Sequence, residues 1–208
     1  GIGTLFGNFE NILPREVSVV GAGVAGREAI SKVIDSGAHV NVLDISEQKL
    51  KDLSKVFGNE NISYIHSTPE SISDAVSRSD LVIGSVYVVG KEAPKVITKE
   101  MLKEMKPGSV LVDISIDQGG CIETSRPTTH DDQVLIEEEL LHKCVTNMPG
   151  AVPLTASLAL NHATHPFVRK IADLGLEKAC ASDHHLANGL NMAKGEIRHP
   201  SVEAALNT

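Results

Sequence analysis

The residues Gly21-Ala22-Gly23-Val24-Ala25-Gly26 are the first in the chain whose types and spacing define a chemistry. A G-x-G-x-x-G array suits the binding of a diphosphate, provided a strand precedes it and a helix follows. The first glycine permits a tight turn, the second omits the Cβ that would block the phosphates, and the third lets the helix pack closely on the strand. Free backbone N–H groups and the helix dipole then hold the anion. Asp44 lies 18 residues beyond Gly26. A carboxylate there accepts hydrogen bonds from ribose hydroxyls and repels a 2′-phosphate, which favours NAD over NADP as cofactor. Lys49, placed to face the same ribose, is a weak pull toward NADP. Outside this context the glycines would be an ordinary loop and Asp44 a strand-end cap. A second candidate, Asp117, precedes Gln118-Gly119-Gly120, a backbone that can approach a ligand closely. Its competing reading is an Asx-type turn.

The elements that must position these residues follow from periodicity. Val17–Val20 reads as a short buried strand ending at Gly21, and apolar Ala25, Ala29, Ile30, Val33 and Ile34 give a helical period over 24–36, stopped by Gly37. The motif therefore has its strand and its helix. His39–Leu43 is the next strand, with Asp44 at its end. Ser46 caps a helix to about Phe57, Ile62–His66 is a third strand, and Thr68-Pro69-Glu70 starts a helix running to about Arg78. Leu81–Ile83 is a fourth strand, residues 99–104 a helix, and Val110–Asp113 a fifth strand. Residues 135–136 and 142–146 are the last strands expected. Strands alternating with helices predict an α/β fold, a Rossmann-type doubly wound parallel sheet with helices on both faces. Asp117 then falls past the carboxyl end of the fifth strand, where open α/β sheets bind ligands.

After Asn147 the pattern changes. Met148–Pro153 reads as a hinge, 154–174 as a long Ala/Leu-rich helix, and 175–208 as short helices and turns too few to bury a core of their own. The expected organisation is a linker over 1–14, a nucleotide domain over 15–147 and a C-terminal helical segment over 148–208.

Composition narrows the function. The chain is acidic, with net charge −8, carries no dense Lys/Arg run and is only 3% aromatic, which argues against nucleic acid. No apolar run reaches about 18 residues, so no membrane span is expected. No leader of charged then apolar residues is visible, and the three distant cysteines, Cys121, Cys144 and Cys180, read as reduced thiols. A cytoplasmic location is expected. His162 and His165 share a helix face, but no third ligand accompanies them, and no metal site is expected. The chain opens on Gly1 within a glycine-containing segment, which reads like the middle of a longer protein; removal of an initiator Met is the other explanation.

Beyond the glycine motif, 80–86, Ala93-Pro94-Lys95-Val96-Ile97 and 105–110 resemble the alanine dehydrogenase and transhydrogenase α-subunit superfamily. The stretches 112–121, Ser125-Arg126-Pro127-Thr128-Thr129 and 147–153 are similar to alanine dehydrogenase specifically. The resemblance covers almost the whole chain. It implies an oxidoreductase of amino-acid catabolism that converts L-alanine to pyruvate and ammonia, with hydride passing from alanine Cα to NAD. It places Gly21, Gly23, Val24 and Gly26 at the diphosphate, Asp44 and Lys49 at the adenosine ribose, and Ser67 at the adenine. Val86, Val96 and Ile114 would flank the nicotinamide, Asn147 and Met148 would close its pocket, and Asp117 would act at the substrate. It also implies a homo-oligomer, commonly a hexamer. In the family an N-terminal segment supplies an Arg, a Lys and a His to the substrate domain; that segment has no counterpart here, and residues 148–208 would belong to an incomplete substrate domain. His130 is the nearest local histidine but no convincing replacement. Two alternatives stay open: an NAD(H)-binding module that is non-catalytic or needs a partner, and a transhydrogenase-like NAD-binding subunit, toward which the glycine motif itself leans. Apolar surface left bare on the C-terminal segment predicts association or poor solubility.

Overall fold

The computed structural model describes residues 2–7 and 9–207. Gly1, Asn8 and Thr208, which fall within the expected linker and tail, lie outside the described residues. Two compact units are present, Gly1–Val88 with Glu92–Thr146, and Val89–Lys91 with Asn147–Thr208.

In the first unit strands and helices alternate as β1 (Glu16–Val20), α1 (Val24–Asp35), β2 (His39–Asp44), α2 (Glu47–Phe57), β3 (Ile62–His66), α3 (Pro69–Arg78), β4 (Leu81–Gly84), α4 (Lys99–Leu102) and β5 (Val110–Asp113). The hairpin β6 (Val134–Glu137) and β7 (Leu140–Lys143) completes a seven-stranded sheet of order β3-β2-β1-β4-β5-β7-β6. Strands β1 to β5 and β7 run parallel, with Val17 opposite Val40 on one side and Leu81 on the other. This is the doubly wound α/β fold. Beyond β1 the order proceeds to β2 and β3 on one side and to β4 and β5 on the other, so the β1/β4 boundary is the switch point where ligand crevices open.

Pleating sends alternate side chains to opposite faces. Val17, Val19, Val40 and Val42 pack with Ile30 and Val33 of α1 and Leu50 and Leu53 of α2. Val20, Leu43, Val82 and Leu111 pack with Ile72, Ala75 and Val76 of α3 and Leu102 of α4. The second face also buries Ser18, whose hydroxyl donates to the Ala75 carbonyl at 3.3 Å and accepts from Ser79 Oγ at 2.7 Å. These bonds satisfy polar groups that would otherwise oppose burial.

Three details differ from the sequence reading. Strand β6 runs antiparallel to β7, so the sheet is mixed at that edge. The last two strands fall at 134–137 and 140–143, with 144–146 outside them. Helix α4 ends at Leu102 with Lys103 as its C-cap, and beyond it Glu104 N and Met105 N bond back three residues to the Met101 and Leu102 carbonyls in tighter turns.

The second unit holds α5 (Pro153–Leu174), α6 (Leu176–Ser182), α7 (His184–Asn188), a two-stranded hairpin of β8 (Met192–Ala193) and β9 (Glu196–Ile197), and α8 (Pro200–Leu206). Helix α5 spans 22 residues and buries none of them; Leu154, Leu158, Leu160 and Val168 are all exposed. Its apolar content has no core to serve within this unit, where Ala179 is the one buried residue among those described. Among the described residues no helix is long and apolar enough to cross a membrane.

Candidate functional site

Because β1 to β5 are parallel, the residues that follow each of them share one edge of the sheet. Gly21 follows β1, Asp44 ends β2, Ser67 follows β3, Ser85 and Val86 follow β4, and Ile114 follows β5. Backbone bonds extend the ladders past the strand ends: Gly21 N donates to the Leu43 carbonyl (2.8 Å), Ser67 N to the Asp44 carbonyl (3.0 Å) and Ser85 N to the Val20 carbonyl (2.8 Å). Most candidate residues are thereby brought to one rim. Asn147 and Met148 belong to the second unit, where Asn147 adopts a left-handed conformation (φ 51°) ahead of a short 3₁₀ turn.

At Gly21 the backbone has φ 97°, and a Cβ would lie 2.6 Å from the Ser85 carbonyl oxygen. Only glycine meets both conditions. Gly23 caps α1, and a Cβ there would point into open space, with nothing within 4 Å. Helices α2, α3 and α4 are capped by the side chains of Ser46, Thr68 and Thr98, whereas α1 has no side-chain cap and no acidic residue in its first turn. Its leading N–H groups, which a helix cannot satisfy internally, face the rim beside Gly23. Val24, at the head of α1, is exposed. At Gly26 a Cβ would run into the Gly21 carbonyl oxygen and stand 2.7 Å from Ser85 Oγ. Ser85 Oγ donates to that same carbonyl at 2.6 Å and so ties the glycine loop to β4. Gly26→Ala should therefore cost about 1–3 kcal/mol of unfolding free energy, the usual cost of overpacking. Urea denaturation measures it; an unchanged midpoint would mean that α1 can back away freely.

Asp44 is 6% exposed. One carboxylate oxygen accepts from Ala22 N at 2.9 Å and the other from Ser46 N at 2.8 Å, while the Lys49 ammonium stands 3.6 Å away. The carboxylate thus braces the glycine loop directly, a contact that spacing alone does not reveal. Two oxygens offer about four lone-pair sites, so acceptor capacity remains beyond the two backbone bonds. Ser67 is half-buried beside it.

Past β5 the chain forms a 3₁₀ turn, Ile114–Gln118, with Asp117 exposed on it. Val86 and Val96 pack against the α3/α4 core and Ile114 against the opposite one. The sequence did not single out Asp113, which organises this region. It is fully buried and accepts from Ser115 N (3.1 Å), Cys121 N (3.0 Å) and Ile122 N (3.0 Å). Burial, reinforced by the Asp113 charge, pushes the Cys121 thiol up to about 12. It therefore stays protonated and is a donor to Asp113 at 3.6 Å. A Cβ on Gly120 would fall 2.7 Å from an Asp113 carboxylate oxygen, so this glycine makes room for a buried side chain.

The other histidines and cavities offer less. His142 is wholly buried, bonded through Nε2 to Thr124 Oγ1 at 2.7 Å, and burial pushes its pKa down. His130 is exposed on the loop before β6. His162 and His165 line a shallow recess on α5 with Leu158, Asn161 and Pro166, and no cluster of three metal-binding side chains exists among the described residues. A cleft of about 560 Å³ at the opposite, amino edge is lined by Arg15, Arg78 and Lys106, of which Arg78 and Lys106 are paired with Glu16, Asp74 and Asp80.

A glycine turn at the switch point, an uncapped helix and a buried carboxylate ending β2 define a Rossmann-type dinucleotide-binding domain. Residues 1–200 match the family described as "Alanine dehydrogenase/PNT, C-terminal domain", and the chain belongs to that family, whose domains bind NAD(H). It is 45% identical to an alanine dehydrogenase of Halomonas elongata over 99% of its own length and 55% of the relative's. To an alanine dehydrogenase of Mycolicibacterium smegmatis it is also 45% identical, over 100% and 56%. A solved L-alanine dehydrogenase superposes with a TM-score of 0.88 at 40% identity, covering 100% of this chain and 57% of that one. A transhydrogenase from Sinorhizobium meliloti, 23% identical with a TM-score of 0.75 over 96% and 55% of the two chains, shares the fold. The chain spans about half the length of the curated relatives it matches.

Proposed function

We propose that the chain is the cofactor-binding part of an NAD-dependent enzyme that oxidises L-alanine to pyruvate and ammonia. The observation that carries this reading is the rim itself: open space at Gly23, the uncapped start of α1 and the buried Asp44 within bonding distance of the glycine loop. These residues suit a dinucleotide. Backbone N–H groups of residues 23–26 would hold the diphosphate beside Val24, Asp44 and Lys49 the adenosine ribose, and Ser67 the adenine. Val86, Val96 and Ile114 would flank the nicotinamide ring, and the family resemblance assigns Asn147 and Met148 to the same cofactor.

Bound NAD supplies a hydride acceptor for the alanine Cα. The chain's own residues orient that acceptor and shield it from water. Asp117, exposed past the end of β5, would face the substrate and hold a carboxylate near the amine as its nitrogen becomes positively charged. A general base for the amine and the attacking water, and cations for the substrate carboxylate, are also needed. In this reading they come from the remainder of the substrate domain, to which residues 148–208 contribute. The working form would be a cytoplasmic homo-oligomer, commonly a hexamer in the family, and the bare apolar side chains of α5 are consistent with burial in such an assembly.

Asp44→Ala tests the cofactor assignment. Losing charge-assisted bonds to the ribose should weaken NADH by about 1.5–3 kcal/mol, roughly ten- to a hundredfold in Kd. NADPH should lose less than NADH, because the same change removes the repulsion of its 2′-phosphate, while both cofactors lose the brace on the glycine loop. Fluorescence titration of both cofactors checks this. An unchanged ratio of the two affinities would refute the role of Asp44.

A further inference from the structure

The 3₁₀ turn that carries Asp117 is held from two sides, by Asp113 on the inner side and by the segment 93–97 on the outer. Ala93 N donates to the Gln118 carbonyl at 2.8 Å, Val96 N and Ile97 N donate to the Cys121 carbonyl at 3.0 and 3.2 Å, and Glu123 N returns a bond to the Ile97 carbonyl at 2.9 Å. The Lys95 ammonium crosses this seam and donates to the carbonyls of Gly119 and Ile122. Ser115 Oγ closes the turn against the Val86 carbonyl at 2.8 Å.

We infer that Lys95 is a positioning residue for Asp117: its ammonium pins the Gly119 and Ile122 carbonyls and so fixes the turn on which the Asp117 carboxylate is presented. This deepens the functional reading above and rests on it. Gly119 and Gly120 both have positive φ, 88° and 77°, and neither has a side chain with which to hold the loop. Two consecutive glycines are the most pliable point in the segment, and they begin two residues after Asp117. Asp113 holds the amides on the inner side, but the Gly119 carbonyl points away from it to Lys95. The positions where a Cβ on Gly120 would stand, 2.7 Å from an Asp113 oxygen and 3.4 Å from Lys95 Nζ, show that anion and cation close on the same residue. The same seam carries Val96 and Val86, assigned to the nicotinamide side. Lys95 thus joins the segment lining the cofactor to the turn presenting the acid, and a displacement of about 1 Å at such a group can cost a hundredfold in rate.

The test uses Lys95→Met and Lys95→Arg in the protein as it occurs. Turnover of L-alanine with NAD, NADH affinity and amide hydrogen exchange over 115–122 are measured on each. Lys95→Met should lower kcat ten- to a hundredfold, change the NADH Kd less than threefold, and speed exchange over 115–122 at least tenfold while β1 to β5 stay protected. Lys95→Arg, which can still donate to both carbonyls, should restore most of kcat. Unchanged exchange in Lys95→Met overturns the inference, as does faster exchange with unchanged kcat, or a loss of NADH affinity that parallels the loss of kcat. A wild-type protein that binds NADH but leaves L-alanine untouched strikes the functional reading instead, and the exchange measurement then decides separately whether Lys95 fixes the turn.

Discussion

Asp117→Asn is expected to lower kcat for L-alanine oxidation by about 10²–10³, the range for removing one group that stabilises charge developing in the transition state, while NADH affinity stays within threefold. The substitution keeps size and shape and removes the charge. Asp117 is exposed on a turn whose backbone is anchored by neighbouring residues. A defect confined to kcat is the signature of a group engaged during the chemical step and not in binding. Steady-state kinetics with a parallel NADH titration distinguishes the outcomes. A variant with wild-type kcat would remove Asp117 from the site, and the Asx-turn reading would stand in its place.

Asp113→Ala should have the largest effect on stability, a loss of about 3–5 kcal/mol in urea unfolding. Three backbone N–H groups, those of Ser115, Cys121 and Ile122, rely on this one buried carboxylate. Each donor left buried without a partner costs about 1–3 kcal/mol, and partial relaxation keeps the total below the sum. Against a typical domain stability of about 5–15 kcal/mol this is a large fraction. A loss under about 1 kcal/mol would show that water replaces the carboxylate, and that the rigidity of the Asp117 turn comes from elsewhere.

How far the sequence reveals this structure differs from one region to another. Strands β1 to β5 and helices α1 to α3 are legible because each has a buried face with the right period and a capping residue or glycine at its end. The β6–β7 hairpin is not. Its two-residue turn is Glu138-Glu139, both with positive φ, 52° and 60°. Such turns usually advertise themselves with Asn-Gly or Asp-Gly, and a pair of glutamates gives no signal. The final strand is accordingly expected two residues too late, at 142–146 against the observed 140–143, and the antiparallel edge is not anticipated.

The site divides along the same line. Gly21, Gly23, Gly26 and Asp44 stand out because local spacing fixes their geometry. Ser85, Lys95 and Asp113 act through partners brought close by the sheet, 64, 24 and up to 9 residues away. One weak signal existed: Asp113 ends β5 as Asp44 ends β2, and an aspartate at the carboxyl end of a buried strand needs donors from somewhere. That Gly120 also makes room for Asp113 is visible only in three-dimensional contact.

The central claim, that the carboxyl rim between β1 and β4 is an NAD(H) site, is tested most directly by calorimetric titration of the protein with NADH and, separately, NADPH. Saturation at one NADH per chain, with clearly weaker NADPH, is the predicted result. A flat NADH titration, or equal affinity for the two, would contradict it.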